Sequence, residues 1–183
     1  MYTSHIQFLT ELLFPLESTS LHIPEMIIIE RINPSLLKFR KYIKNLTNIP
    51  IFIILDSLSQ ILGYGEGSTP MSDDIFLGMI ATIYSLESDI SKEFELLSKI
   101  PFERFTTSES SQLCRDFFFL KFPIEVECYL DLLKTALSDP LKISLFKREI
   151  KKIHNLGASS GKSFLLGSLW ELKFRKAEDS SNR

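Results

Sequence analysis

The chain has 183 residues, 44% of them hydrophobic and 24% charged, so it is long enough to bury a core and is most simply one domain. Its formal net charge of −2 provides no overall electrostatic attraction to nucleic acid or to an anionic membrane. No apolar run reaches the roughly 18–20 residues that a membrane-spanning helix needs. We therefore expect neither nucleic acid nor a membrane as a partner.

The first residues do not resemble a signal peptide, because they carry His5 and Glu11 where a basic stretch and a long apolar run would be needed. Cys114 and Cys128 lie far apart and have no Cys or His at metal-ligand spacing. We expect both cysteines to be small core residues of a reduced, cytoplasmic protein.

Three helix starts are marked by a capping residue before a proline, at Asn33-Pro34, Thr69-Pro70 and Asp139-Pro140. Together with apolar residues at three- and four-residue spacing, they predict a mainly α fold of about seven helices. The predicted segments are 34–46, 50–62, 70–86, 91–97, 108–120, 124–137, 141–154 and 160–175. Residues 25–32 fit a short strand and a helix equally well. Residues 1–175 are predicted to form one domain, followed by a flexible polar tail at 176–183.

Three glycines at alternate positions, Gly63, Gly65 and Gly67, precede the predicted helix start at Thr69-Pro70. Glycine tolerates positive φ and leaves the neighbouring amides accessible, so such a loop can hold a phosphate or a carboxylate. Thr69 fits the N-cap and Pro70 the first helical position. These residues predict an anion-binding loop at a helix N-terminus.

Two adjacent carboxylates, Asp73 and Asp74, fall in the first turn of that helix. They are either complements to the helix dipole, each contributing roughly 0.3–1 kcal/mol, or catalytic groups that accept a proton or bind Mg²⁺. Adjacent helical residues point about 100° apart, so both are not expected to chelate one ion. We expect one to be functional and the other to hydrogen-bond to backbone amides.

Two further loops carry small hydroxyl residues before a predicted helix. Thr106 and Thr107 are typical of a helix cap. In the segment 157–163, Gly-Lys-Ser suggests a nucleotide-binding P-loop, but the loop is one residue short and follows a helix. A helix connector with Gly157 in the left-handed conformation explains part of this segment. Ser159, Ser160 and Gly161 together could instead face an anion.

The three loops, in this order, resemble the motifs of the family of unknown function numbered 2877, which includes the subunit associated with oxamate carbamoyltransferase in allantoin (purine) degradation. The resemblance covers about residues 50–172. The first family motif, approximately Gly-Leu-Gly-Pro-Gly-Leu-Thr-Pro-Ser-Gly-Asp-Asp, corresponds to residues 63–74. Thr106-Thr107 matches the second element, and residues 157–167 match the third.

The chain also departs from these motifs. Ala158 and Ser163 stand where the third motif has histidine and aspartate, and Glu66 and Ser72 replace the proline and glycine of the first. Family members also have a longer N-terminal region. The chain is thus either a divergent relative with a changed ligand or a scaffold that has lost activity.

The resemblance implies a carbamoyltransferase-like subunit, either a transferase itself or part of one, with the three loops around one small anionic ligand. The ligand-binding residues would be Gly63, Gly65, Gly67, Thr69, Thr106, Thr107, Ser159, Ser160 and Gly161. Asp73 and Asp74 would be catalytic, and one of them would hold any Mg²⁺. The alternative is a non-catalytic assembly subunit that docks a partner chain through an apolar face including residues 117–119.

Overall fold

The structure is a computed structural model that describes residues 23–87, 89–135, 140–157 and 159–181. These residues form eight α-helices: α1 (Ile23–Tyr42), α2 (Ile51–Ser59), α3 (Met71–Leu86), α4 (Ser91–Ser98), α5 (Ser108–Phe118), α6 (Ile124–Thr135), α7 (Pro140–His154) and α8 (Ser160–Ser181). Short 3₁₀ turns occupy Ile43–Asn48 and Phe102–Arg104. The described ranges contain no β-strand. The mainly α class is confirmed, with eight helices in place of about seven.

The ambiguous segment 25–32 is helical, and α1 continues through Pro34. The prediction that a helix begins at Pro34 is therefore wrong. A proline inside a helix costs on the order of 3 kcal/mol. Ile32, Leu36 and Phe39 lie on either side of it and are buried in the core. Because each such side chain contributes about 1.5–3 kcal/mol on burial, their combined gain exceeds the cost of the proline.

The last helix is longer than its sequence suggested, since α8 passes Arg175 and ends at Ser181. No glycine or proline follows Arg175 to stop it. The hydroxyls of Ser180 and Ser181 donate to carbonyls one turn back in the helix. Three predicted features lie outside the described residues: the cap at Asp139, the helix end at 137 and the final residues 182–183.

Helices α3 and α8 form the centre of the fold and run side by side in the same direction. Their contacts recur at four-residue steps, which is the pattern of ridges formed by every fourth residue on each helix. The contacting pairs are Asp74 with Ser160, Gly78 with Phe164, and Thr82 with Ser168. A Cβ on Gly78 would lie 1.9 Å from the Phe164 carbonyl oxygen, and one on Gly167 would lie 1.9 Å from that of Ile75. The backbones touch because neither glycine has a side chain.

A buried ion network ties α1 to the far end of this helix pair. The guanidinium groups of Arg40 and Arg175 each donate to Glu171, at 2.7 Å and 2.6 Å. Both also reach Glu87, the residue that follows α3. Cations at the C-terminal end of a helix complement its dipole. The network therefore holds the C-terminal end of α3 in place.

Other predictions about residue placement have mixed outcomes. Cys114 is buried, but Cys128 is exposed on α6, so the prediction of two core cysteines is wrong for Cys128. Phe117 and Phe118 are buried as well, whereas Phe119 is 58% exposed. The predicted docking face at residues 117–119 is therefore wrong for Phe117 and Phe118 and stays a prediction for Phe119. None of the described helices has the length and apolar character needed to cross a membrane. The cytoplasmic location stays a prediction.

Candidate functional site

The N-terminal ends of α3, α5 and α8 meet at one place. The Thr69 hydroxyl, just before α3, lies 2.9 Å from that of Ser160, the first residue of α8. The Thr107 hydroxyl caps α5 by accepting from the Ser110 amide, and it donates to the Ser68 carbonyl. Each helix N-terminus carries a partial positive charge, so three of them together favour negative charge at their meeting point. The three loops predicted from sequence therefore do converge.

Thr69 does not have the capping role that the sequence suggested. The residue at the N-cap position of α3 is Pro70, and no side chain caps this helix end. The Thr69 hydroxyl instead joins the first loop to α8 through Ser160. The cap prediction is wrong because a partner from a distant part of the sequence holds this side chain.

Asp73 occupies the meeting point of the helices and is completely buried. One of its carboxylate oxygens, Oδ1, accepts from the Gly63 amide at 2.7 Å and from the Ser72 hydroxyl at 3.0 Å. The other, Oδ2, accepts from the hydroxyls of Thr106 and Ser110. Four donors saturate this carboxylate. Asp73 thus holds the glycine loop and the start of α5 against α3.

Asp74 lies beside it in a different environment. The residue is 5% exposed, and its Oδ2 atom is buried with no hydrogen-bond partner in the described structure. Burial raises the pKa of Asp74 to about 7, the Ser160 hydroxyl opposes this by hydrogen bonding, and the charge of Asp73 adds to it. A carboxyl with a pKa near neutrality and a free oxygen is suited to proton transfer.

The glycine loop leaves a run of backbone amides unused. Gly63, Gly65 and Gly67 have φ values of +86°, +125° and +97°, which only glycine adopts readily. The amides of Gly63 and Tyr64 are bound by Asp73 and Ser72. By contrast, the amides of residues 65–69 donate to no other described residue. Consecutive free amides of this kind form anion-binding concavities in proteins.

A cavity of about 730 Å³ adjoins this run of amides. It is lined by Glu25, Ile27, Ile28, Gly65, Glu66, Met71 and Ser159. This volume lies in the range of pockets that bind small molecules. The lining combines apolar side chains from α1 and α3 with polar groups of the first and third loops. Two carboxylates, Glu25 and Glu66, also border the cavity and would repel a bare anion close to them.

The third loop has the geometry of a helix connector. Gly157 has φ +62°, as predicted for a residue that ends a helix in the left-handed conformation. A Cβ on Gly161 would lie 1.6 Å from the Ile153 carbonyl oxygen, so this glycine permits α7 and α8 to approach closely. Gly161 therefore has a packing role whether or not it contacts a ligand.

We expect Lys162 not to bind nucleotide. Its amine lies 3.7 Å from the Glu25 carboxylate, and its loop follows the helix α7 where a P-loop needs a buried strand. Calorimetric titration with ATP and Mg²⁺ should show no saturable binding that Lys162→Ala abolishes. Specific ATP binding lost in that variant would overturn this expectation.

Several groups at this site were not anticipated from the sequence. Ser110 was missed, although its position three residues after the cap Thr107 is one where side chains commonly bond near a helix start. Ser72 was seen only as a departure from a family motif, yet it contacts both the glycine loop and Asp73. The α1 residues that line the cavity lie outside the segment that carried the resemblance.

The described residues contain no group of three or more His, Cys, Asp and Glu side chains that could hold a metal ion. Asp73 has its oxygens occupied by four donors, so Asp74 is the one carboxylate of the pair with a lone pair to offer. Mg²⁺ prefers six oxygen ligands, and the remainder would have to come from water or ligand. A metal at this site stays a prediction.

Within its described part, the molecule thus has an all-helical fold in which three helix N-termini surround a pair of buried carboxylates. The chain belongs to the family described as oxamate carbamoyltransferase subunit AllH, whose model matches residues 61–172, more than half of its length. The matched segment contains all three loops and both aspartates. No curated protein and no solved structure matches the chain.

Proposed function

We propose that this protein is a subunit of a carbamoyltransferase-type assembly and that it binds a small anionic ligand, a phosphate or a carboxylate, in the cavity beside Gly65 and Ser159. The observation that carries the proposal is the run of unused amides at residues 65–69, beside three converging helix N-termini. Family membership supports the subunit role. The anion itself is inferred from the donors.

In this proposal Asp73 and Asp74 have separate tasks. Asp73 is a positioning residue, because its four hydrogen bonds keep the first and second loops in register. Asp74 is the proton-transfer group of this proposal, since its free oxygen and its pKa of about 7 suit both directions near neutral pH. It does not line the cavity itself and would act through its hydrogen-bond partner Ser160, which follows the lining residue Ser159. Ser159 and the amides of the glycine loop hold the anion.

A pair of charge changes at the cavity tests the ligand site. Ser159→Glu places a carboxylate against the bound anion and should abolish saturable binding of oxamate or inorganic phosphate, the two probes. Glu66→Gln removes a negative charge from the cavity wall and should tighten binding by roughly 3- to 10-fold, the effect of one nearby charge in a solvated site. Isothermal titration at low ionic strength measures both.

Ser91→Glu is the matched control, because Ser91 is an exposed serine at the first turn of α4. This variant makes the same charge change away from the cavity and should bind the probes like the wild type. Equal weakening by Ser91→Glu and Ser159→Glu would mean that only net charge matters. Absence of saturable binding to the wild type would reject the anion site.

A second function, that of a non-catalytic assembly subunit, is favoured by one observation. Ser163 stands where the family motif noted above has aspartate, and it is buried within α8. The other departure, Ala158, lies outside the described residues. Binding of oxamate by the chain together with no carbamoyl transfer in the reconstituted assembly would favour this second function.

A further inference from the structure

Another cavity, of about 310 Å³, lies between α1 and the helix pair α3 and α8, and we call it the α1–α8 cavity. Its lining residues on α1 and on α8 recur at three- and four-residue spacing, so one side of each helix faces it. The apolar part of the lining consists of Ile29, Ile32, Leu36, Ile75, Leu166 and Trp170. Small-molecule sites often lie between packed helices. An apolar cavity of about 150 Å³ is already large enough to bind benzene.

Trp170 forms a wall of the α1–α8 cavity, and two contacts fix its orientation. Its indole N–H donates to the Asn33 side chain at 2.8 Å. Its ring stacks on Phe174, with the ring centroids 5.7 Å apart and the planes 9° from parallel. The indole would lose both contacts if it turned to fill the cavity, so these contacts keep the cavity open.

The hydrogen bond from Trp170 determines which group of Asn33 remains available. An indole nitrogen is a donor only, so the Asn33 atom that it contacts is the carbonyl oxygen. The NH₂ group of Asn33 donates to no residue in the described part of the chain. Lys173 also lines the cavity, and because an ammonium has three donors it can contact a ligand whatever else it binds.

The polar groups at the α1–α8 cavity are therefore donors, and one of them is positively charged. Among its described lining residues there is no aspartate or glutamate. This distinguishes it from the cavity beside Gly65, which Glu25 and Glu66 border. Asn33 and Lys173 are both half-buried, so a charged group bound to them would remain close to water.

We propose that the α1–α8 cavity binds a medium-chain carboxylate, with its alkyl chain against the aliphatic side chains and its carboxylate on Asn33 and Lys173. A carboxylate only accepts hydrogen bonds, so it matches these two donor groups, whereas an ammonium ligand would meet a like charge. In proportion to benzene in a cavity of about 150 Å³, this volume accommodates about twelve heavy atoms, the size of decanoate.

This site is separate from the anion site proposed above. Ile28 lines the cavity beside Gly65, and its neighbour Ile29 lines the α1–α8 cavity. The two cavities share no residue among their described linings. The proposal therefore does not rest on the proposed function, and decanoate should bind to Ser159→Glu as it binds to the wild type.

Fluorescence titration tests the proposal directly, because Trp170 is the single tryptophan of the chain. Decanoate, kept below its micelle concentration, should shift the emission saturably to shorter wavelengths, since its alkyl chain replaces water at the half-buried indole. Ile29→Phe places a larger side chain in the cavity and should weaken decanoate binding by about tenfold or more. Its melting temperature should stay unchanged or rise, because the new ring fills a cavity. Ile49→Phe is the matched control, since Ile49 is also half-buried and lies outside the lining.

Asn33→Asp gives a second readout, because it changes the charge and keeps the size of the side chain. The aspartate retains an oxygen for the Trp170 N–H and replaces the NH₂ group with a negatively charged oxygen. Decanoate should bind to this variant about tenfold more weakly than to the wild type, and decylammonium, of the same chain length, should bind more tightly. Acetate, which has the carboxylate without the chain, should leave the emission unchanged.

Three results would each overturn the proposal. The first is the absence of a saturable emission shift when decanoate is added to the wild type. The second is equal affinity of the wild type for decanoate and decylammonium, which would mean that the donors do not select a carboxylate. The third is decanoate binding that Ser159→Glu abolishes and Ile29→Phe leaves intact, which would place the ligand in the other cavity.

Discussion

Replacing Gly78 by alanine is expected to destabilise the fold by roughly 3 kcal/mol, the upper part of the range for overpacked interiors. The new Cβ would lie 1.9 Å from the Phe164 carbonyl oxygen, and that atom belongs to a helix backbone that cannot turn aside. Alanine would otherwise be the better helix former by about 1 kcal/mol, so propensity alone predicts the opposite sign. Urea unfolding followed by circular dichroism measures the difference.

Gly67→Ala provides the control for this experiment. Its Cβ would meet no atom within 4 Å, so its cost comes only from the positive φ of +97°. That strain is roughly 1–2 kcal/mol. The same steric clash predicts that Gly167→Ala loses as much stability as Gly78→Ala, because the new Cβ would lie 1.9 Å from the Ile75 carbonyl oxygen. A Gly78→Ala protein as stable as the wild type would show that α3 and α8 are less closely packed than the structure has them.

The sequence predicted helices α3 to α7 well because their signals are local. The end of α3 at Leu86 and the start of α5 at Ser108 agree with the structure, since capping residues and apolar spacing define them. The predictions from sequence were wrong where contacts with residues far away in the chain determine the local structure. Pro34 remains helical because the residues around it are buried, and that burial cannot be read from the local pattern.

The candidate site shows the same division. The loops at residues 63–74, 106–107 and 159–161 were identified from glycine and hydroxyl residues before helix starts, which are local features. The sequence predicted different roles for Asp73 and Asp74 but not which residue has which role, because this depends on which side chain meets Ser110 and which meets Ser160. The contribution of α1 to the lining of the cavity could not be predicted from the sequence either.

Asp74→Asn is expected to stabilise the protein at pH 8, with a pH dependence that identifies the residue. Burial raises the pKa of Asp74 to about 7 in the folded chain, from 3.8. Between these values the unfolded chain has lost the proton that the folded chain keeps, so stability falls as pH rises from about 4 to about 7 and then levels off. At 1.36 kcal/mol per unit, this loss is on the order of 4 kcal/mol. Asparagine does not ionise, so the variant does not lose this stability as the pH rises.

Comparing Asp74→Asn and Asp73→Asn across pH separates the two carboxylates. Asp73→Asn should lose roughly 3 kcal/mol at pH 8, because the amide nitrogen that replaces one carboxylate oxygen cannot accept from the two donors that this oxygen served. The difference in unfolding free energy between Asp74→Asn and the wild type should instead shrink toward zero below about pH 4, where both are neutral. Subtracting the wild-type curve removes the titration of surface groups such as Glu95 and Glu103. A hydrogen bond from Lys99 lowers the pKa of Glu95, and a backbone hydrogen bond together with one from Arg115 lowers the pKa of Glu103. Chemical unfolding at pH 4, 6 and 8 provides the curves.

If Asp74→Asn were no more stable than the wild type at pH 8, Asp74 would be an ordinary ionised side chain, and its assignment as the proton-transfer group of the site would be withdrawn.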